Sequence, residues 1–256
     1  MLAEKNLTLV AFYRSKPDPL TQVLETLQAA LHTELGLAFS AYAIEQVHAT
    51  IIGLEGWRVG AQVYNSNQTQ ASGKSGAMHL LGLLQFMQGM PALHIRIGGF
   101  AASGRYPFTS RGLHPYLRTF AISGSLAVTM GWPFADGSYP MALDSLRREC
   151  TRFNVFHKYH SKDEDVDNDF FLVLGRVERD SLSEEKTEYV QGSLRRHLAD
   201  LEPLDIMIQT EDLSVVAYSD TQLPIASSVS YSLVEAQARI DELILLYPEK
   251  LNGMFS

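Results

Sequence analysis

Three features of this chain predict an α+β fold. Apolar, β-branched runs mark strands at 7–13, 47–52, 119–124, 125–130, 170–177, 204–208 and 214–218. Leucines at helical spacing mark helices between some of them, yet strand and helix do not alternate strictly, as a doubly wound sheet requires. The 256 residues, 46% hydrophobic and 20% charged, suffice for one full core. With no low-complexity stretch or clean linker, residues 1–256 read as a single domain, built as one unit or as two interleaved lobes.

Taken in order, Leu7-Thr8-Leu9-Val10-Ala11-Phe12-Tyr13 is the first strand, broken by Pro17-Asp18-Pro19. Asp18 is suited to cap a helix with Pro19 at its first position; Leu20, Val23, Leu24, Leu27 and Leu31 then recur on one face, and Gly36 ends it. The strand Val47–Ile52 follows, and 60–76 reads as a polar loop. Within it, Gly73-Lys74-Ser75 resembles the end of a phosphate loop, but Gln68 stands where the leading Gly belongs and no strand precedes it, so the match is discarded. Met78–Met87 is an apolar helix with Met78, Leu81, Leu84 and Phe86 in the core, ended by Pro91, and His94–Ile97 is a strand. Pro140–Phe153 is a helix with Leu143, Leu146 and Cys150 on its apolar stripe and Arg147, Arg148 and Arg152 on its wet side. Residues 154–160 and 170–177 read as a hairpin with a long acidic tip. Ser181–Ala199 is a helix with a Ser181/Glu184 capping box. The strands at 204–208 and 214–218 flank an acidic turn, and a last helix over 232–246 is capped by Ser232 and Glu235.

Composition excludes several function classes. A net charge of −8 argues against a duplex nucleic-acid surface but leaves room for a small phosphate site. A lone cysteine, Cys150, forms no internal disulfide, which fits a reducing cytosol, and mid-helix on an apolar stripe it is no nucleophile. The first six residues lack a basic segment followed by an apolar one, and no apolar run approaches the ~18 residues that span a bilayer, so a cytoplasmic protein without membrane contact is expected. No Gly-x-Ser-x-Gly elbow or cofactor fingerprint is present. No metal is expected: an EF-hand frame begun at Asp163 has Asn168 for its Gly and Leu174 for its final Glu, and His157 and His160 do not converge on a strand.

The segment with the most chemistry is Gln46-Val47-His48-Ala49-Thr50-Ile51-Ile52-Gly53-Leu54-Glu55. Alternation along a strand puts His48 and Thr50 on one face, an imidazole that moves protons near neutral pH beside a hydroxyl that donates to phosphate. Strand, helix and then a strand carrying Val47-His48-Ala49-Thr50-Ile51 and ending Gly53-Leu54-Glu55-Gly56 resembles the first half of the 2H phosphoesterase superfamily. That group includes bacterial RNA 2′,5′-ligase-like proteins and cyclic nucleotide phosphodiesterases. The order of elements extends the resemblance over most of the chain, but only this first motif matches in residues.

The resemblance implies a bilobed α+β structure, with two mainly antiparallel sheets flanking a central cleft and helices outside. It implies metal-independent, cofactor-free two-histidine hydrolysis of a cyclic phosphate or of a 2′,5′- or 2′,3′-linked nucleotide or RNA end. His48 would be one acid/base group and Thr50 a phosphate donor. The second motif departs from the pattern: counting back from Gly175, Phe171 and Val173 fall where His and Thr are expected. The alternative second pair is His157 as acid/base with Tyr159 as phosphate donor, with His160 on the other face of their strand. Arg96, Arg105 and Arg111 are further candidates to line a phosphate cleft. Two other readings stand beside the enzyme: a nucleotide- or phosphate-binding protein whose second half-site is lost at Phe171 and Val173, and a structural or interaction protein with His48 buried.

Overall fold

The computed structural model describes residues 4–73, 76–162 and 164–250. Lys74 and Ser75 of the discarded phosphate-loop match, and Asp163 at the start of the EF-hand frame, lie outside the described residues.

The chain runs β1 (Asn6–Ala11), α1 (Asp18–Leu35), β2 (Phe39–Ala41), β3 (Ala49–Gly53), β4 (Gly56–Val59), β5 (Gln62–Asn65), α2 (Ser66–Ser72) and α3 (Leu80–Gln88). It continues through β6 (Leu93–Ile97), α4 (Pro115–Arg118), β7 (Phe120–Ser123), β8 (Leu126–Pro133), α5 (Ala142–Glu149) and β9 (Phe170–Val177). It closes with α6 (Glu184–Asp200), β10 (Leu204–Ile208), β11 (Leu213–Tyr218), β12 (Val229–Ser232), α7 (Leu233–Ala238) and α8 (Ile240–Ile244).

The fold is α+β, and its sheet differs from the two expected. Among the described residues, ten strands form one antiparallel sheet in the order β10-β6-β8-β9-β3-β1-β11-β12, with β2 beside β9 and β7 beside β8; β4 and β5 make a separate hairpin. Two strand groups meet between β9 and β3, where the register holds a single pair, Ala49 with Leu172. Alternation sorts the two faces. Leu7, Leu9 and Ala11 of β1, Ala49 and Ile51 of β3, and Phe170, Leu172 and Leu174 of β9 enter the main core, where the leucines of α1, α3, α5 and α6 cover them. Thr8, Thr50, Phe171 and Val173 alternate to the other face.

Arg147 fills the seam beside the Ala49–Leu172 pair. It belongs to α5, and contrary to the solvent-facing expectation it is only 3% exposed. Its Nε and Nη2 donate to the Ile51 and Thr50 carbonyls at 3.0 Å each. Nη1 donates to the Asp167 carbonyl at 2.9 Å, and both terminal nitrogens reach the Asp169 carbonyl at 3.3 Å. A guanidinium, with five donors in a fixed fork, thus replaces the backbone ladder that two diverging strands can no longer form.

Several sequence expectations need correction. The stretch expected as a loop over 60–76 carries β5 and α2 among its described residues: Gly60 at φ +59° turns the β4–β5 hairpin, and Asn65 caps α2 by accepting from Gln68 N. Residues 154–160 form no strand. A 3₁₀ turn over Cys150–Phe153 ends on Asn154 in the left-handed region, and a turn from His157 to His160 follows, so β9 has no hairpin partner there. The helix begun at Pro140 is α5 plus that turn, and Leu81 is exposed. Ser183, not Ser181, caps α6, accepting from Lys186 N. Asp18 is the first helical residue of α1 and Pro17 its cap position. The last helix breaks at Arg239 into α7 and α8, the first with the expected Ser232/Glu235 capping box. No helix among the described residues is long and apolar enough to cross a membrane.

Candidate functional site

On the face of the sheet opposite the main core lies a cavity of about 530 Å³, within the range that holds small ligands. Its floor is Thr8 of β1, His48 just before β3, Thr50 of β3, Phe171 and Val173 of β9, and Tyr218 of β11. The loop at Thr221–Leu223 and Tyr42 wall one side; His157, Lys158, Tyr159 and Arg111 wall the other. Because Ala49 pairs antiparallel with Leu172, Thr50 falls beside Phe171 and His48 beside Val173. The residues read as the first motif and those in the place of the second are therefore neighbours on adjacent strands.

His48 is half-buried at the cavity edge, with Tyr13 edge-on at 5.8 Å. Its Nδ1 lies 2.6 Å from the Gln46 carbonyl. A carbonyl only accepts, so Nδ1 carries the proton and Nε2 is the nitrogen left to a ligand. Burial, helped by the charge of Lys16 and opposed by the bond to the Gln46 carbonyl, brings the imidazole pKa down to about 4. The Thr50 side chain is exposed to the cavity.

His157 also lines the cavity but from a loop, and it is 6% exposed. Its Nε2 donates to Asp167 Oδ2 at 2.6 Å. Burial draws His157 down to about 4, outweighing the Asp167 bond that would raise it. Asp167 resists its own burial because His157, Arg147 and Arg111 hold it ionised, at about 2. The pair is a neutral imidazole donating to a carboxylate. His160 does not point away as a strand would direct it: the turn brings its ring to 5.0 Å from His157, and its Nε2 lies 2.8 Å from Asp144 Oδ1.

This pair sets an acid limit to stability. Below about pH 6.5 the unfolded chain gains a proton that folded His157 refuses until about pH 4. Stability is thus complete above pH 6.5 and falls as the pH drops to 4, by roughly 3 kcal/mol for this residue. His48 adds in the same direction, and Asp167 extends the loss below 3.8. Urea midpoints at pH 7.5, 5.5 and 4.5 check it; wild type should lose more over this range than His157→Asn, and identical slopes would refute the assignment.

Tyr159 is half-exposed, its ring between the Arg111 guanidinium at 4.1 Å and the Lys158 ammonium at 4.7 Å. Burial would raise its phenol, but Lys158 and Arg111 together bring it below the usual range. Of the three candidate arginines, Arg111 lines the cavity, 3.7 Å from Asp167 and 3.8 Å from Asp169. Arg96 instead pairs with Asp205 and stacks on Phe134, and Arg105 lies outside the lining.

Sequence reasoning missed Arg147, Glu55 and Tyr218, and the structural weight of Asp167-Asn168-Asp169. That acidic run is buried, not a solvated tip. Asn168 Oδ1 accepts from Leu143 N and Asp144 N at the start of α5. Asp169 accepts from Ser110 Oγ, Trp132 Nε1 and Arg118. Cys150 is fully buried and its thiol is pushed up to about 12, foremost by desolvation. Among the described residues, no group of three or more His, Cys, Asp or Glu is placed to hold a metal ion.

No protein-family model matches this chain, and no curated protein matches it. Among solved structures it is similar to TT0787 of Thermus thermophilus, at 12% identity and a TM-score of 0.39, over 88% of this chain and 93% of that one.

Proposed function

We propose that this chain binds a small phosphorylated ligand, a nucleotide or an RNA-end phosphate, in the cavity. The phosphate sits against His48 and Thr50, on a 2H-like frame whose two lobes are the strand groups joined at Ala49–Leu172. The observation that carries this reading is the register that sets His48 and Thr50 beside Val173 and Phe171. One half of a two-motif phosphate site is chemically competent, and the other is a phenyl ring and an isopropyl group that neither transfer protons nor hold phosphate. The depressed pKa of His48 adds to the case, since two neutral imidazoles leave no general acid at neutral pH.

A second reading, metal-independent turnover of a cyclic phosphate, is favoured by one observation. His157, oriented by Asp167, lines the same cavity, so an acid/base group is within the site though not on the expected strand. Calorimetric titration with a panel of 5′-mononucleotides and 2′,3′-cyclic nucleotides separates the two. Binding without turnover is expected, weakened about tenfold in His48→Ala and in Thr50→Ala, the worth of one hydrogen bond to a charged group. Turnover that vanishes in both His48→Ala and His157→Ala would replace the binding reading by the two-histidine one. Binding untouched by either floor variant would end both.

A further inference from the structure

We propose that Glu55 determines specificity in this cavity: its carboxylate reads a paired hydrogen-bond donor edge on the ligand, the N–H/NH₂ edge of a guanine-type base or the hydroxyl pair of a ribose. The inference rests on the reading that the cavity takes a nucleotide-type ligand. Glu55 lines the cavity just past the end of β3, and three observations single it out.

The first is its fixed geometry. Tyr218 Oη donates to Glu55 Oε1 at 2.7 Å. The carboxylate lies folded back over Gly53, where a Cβ would collide with it. A carboxylate held from one side by a phenol and seated on a glycine is preorganised, so a ligand need not freeze it on binding.

The second is its unused capacity. Two carboxylate oxygens accept about four hydrogen bonds, and Tyr218 supplies one. The other carboxylates that line the cavity are committed: Asp167 to His157 and Arg147, Asp169 to Ser110, Trp132 and Arg118. Among the described residues no cation pairs with Glu55.

The third is charge. A half-buried carboxylate repels phosphate, so the anionic part of a ligand is steered to His48 and Thr50, and what faces Glu55 must donate. Bases presenting a paired N–H edge, and vicinal hydroxyls, are the parts of a nucleotide that do so. A site built to accept such donors rejects a ligand lacking one more strongly than an apolar wall does, because a buried acceptor is left unpaired.

The test is titration of wild type, Glu55→Gln and Tyr218→Phe with guanosine, inosine and 2′-deoxyguanosine 5′-monophosphates. Inosine lacks the 2-amino donor and the deoxy form lacks the 2′-hydroxyl, so the pattern names the source. Wild type should prefer guanosine to one of the other two by about tenfold or more. Glu55→Gln, of equal size and still able to accept from Tyr218, should bring that preference close to unity while the disfavoured ligand keeps its affinity. Tyr218→Phe should reduce the preference in part. Equal wild-type affinity for all three, or a preference surviving in Glu55→Gln, overturns the role of Glu55 and leaves the phosphate site standing. No binding of any of the three overturns both.

Discussion

Hydrolysis of a 2′,3′-cyclic nucleotide should rise by roughly 10²–10⁴-fold when Phe171→His and Val173→Thr are combined, the range one positioned acid/base group contributes. The expectation follows from register: Ala49 opposite Leu172 sets position 171 beside Thr50 and position 173 beside His48, facing the same cavity. An imidazole at 171 would add the proton donor that neutral His48 lacks, and a hydroxyl at 173 would add a second phosphate donor. Both side chains are half-buried and pack against the cluster of Phe100, Val128, Met130 and Trp132, so the double variant is first checked for folding. Initial rates for wild type, the double variant and the double variant carrying His48→Ala measure it. A gain that His48→Ala abolishes supports an eroded two-motif site. A double variant that folds, binds the nucleotide and stays inert would mean that the cavity was never laid out for in-line proton transfer.

Arg147→Met should cost on the order of 3–5 kcal/mol, the loss on breaking a buried ion pair from one side. It would strand four carbonyls, those of Thr50, Ile51, Asp167 and Asp169, and remove a cation 3.4 Å from Asp167 Oδ2. Against a typical total of about 5–15 kcal/mol, that leaves the chain near unfolding. Arg147→Lys should recover little, because an ammonium lacks the planar fork that serves both strand groups at once. Urea unfolding measures both variants. A loss below about 1 kcal/mol in Arg147→Met would show that the seam holds without it, with the carbonyls satisfied by water.

What could be read from the sequence was local. The β-branched neighbours of His48 and Thr50 disclose a strand, and alternation assigns the face. The leucine stripe of α1, the apolar run of β9 and the Ser232/Glu235 box are likewise signals carried within a few residues. What stayed hidden depends on partners far along the chain. Arg147 and Arg148 are adjacent in a helix of only eight residues; nothing in their spacing tells which one is buried, and the carbonyls that bury Arg147 come from β3 and the approach to β9. Asp167-Asn168-Asp169 looks like a wet turn because its neutralising arginines, at 111, 118 and 147, lie elsewhere in sequence. The strand expected at 154–160 failed at Asn154, whose left-handed backbone no hydropathy pattern records.

The pairing of β1 also bears on how the molecule is made. β1 lies between β3 and β11, so residues 6–11 need a partner at 213–218. Tyr13, edge-on to His48, donates to the Leu223 carbonyl across 210 residues of chain. His48 and Thr50 leave the ribosome well before the strand beyond β1 and the loop that walls their cavity, because β11 and Leu223 lie far later in the chain. β7, β8 and β9, which carry Phe171 and Val173, close over shorter loops and with less entropy to overcome. The apolar half of the cavity therefore has the shorter route to assembly, and the nascent chain holds an unpaired edge of β1 until β11 has been made.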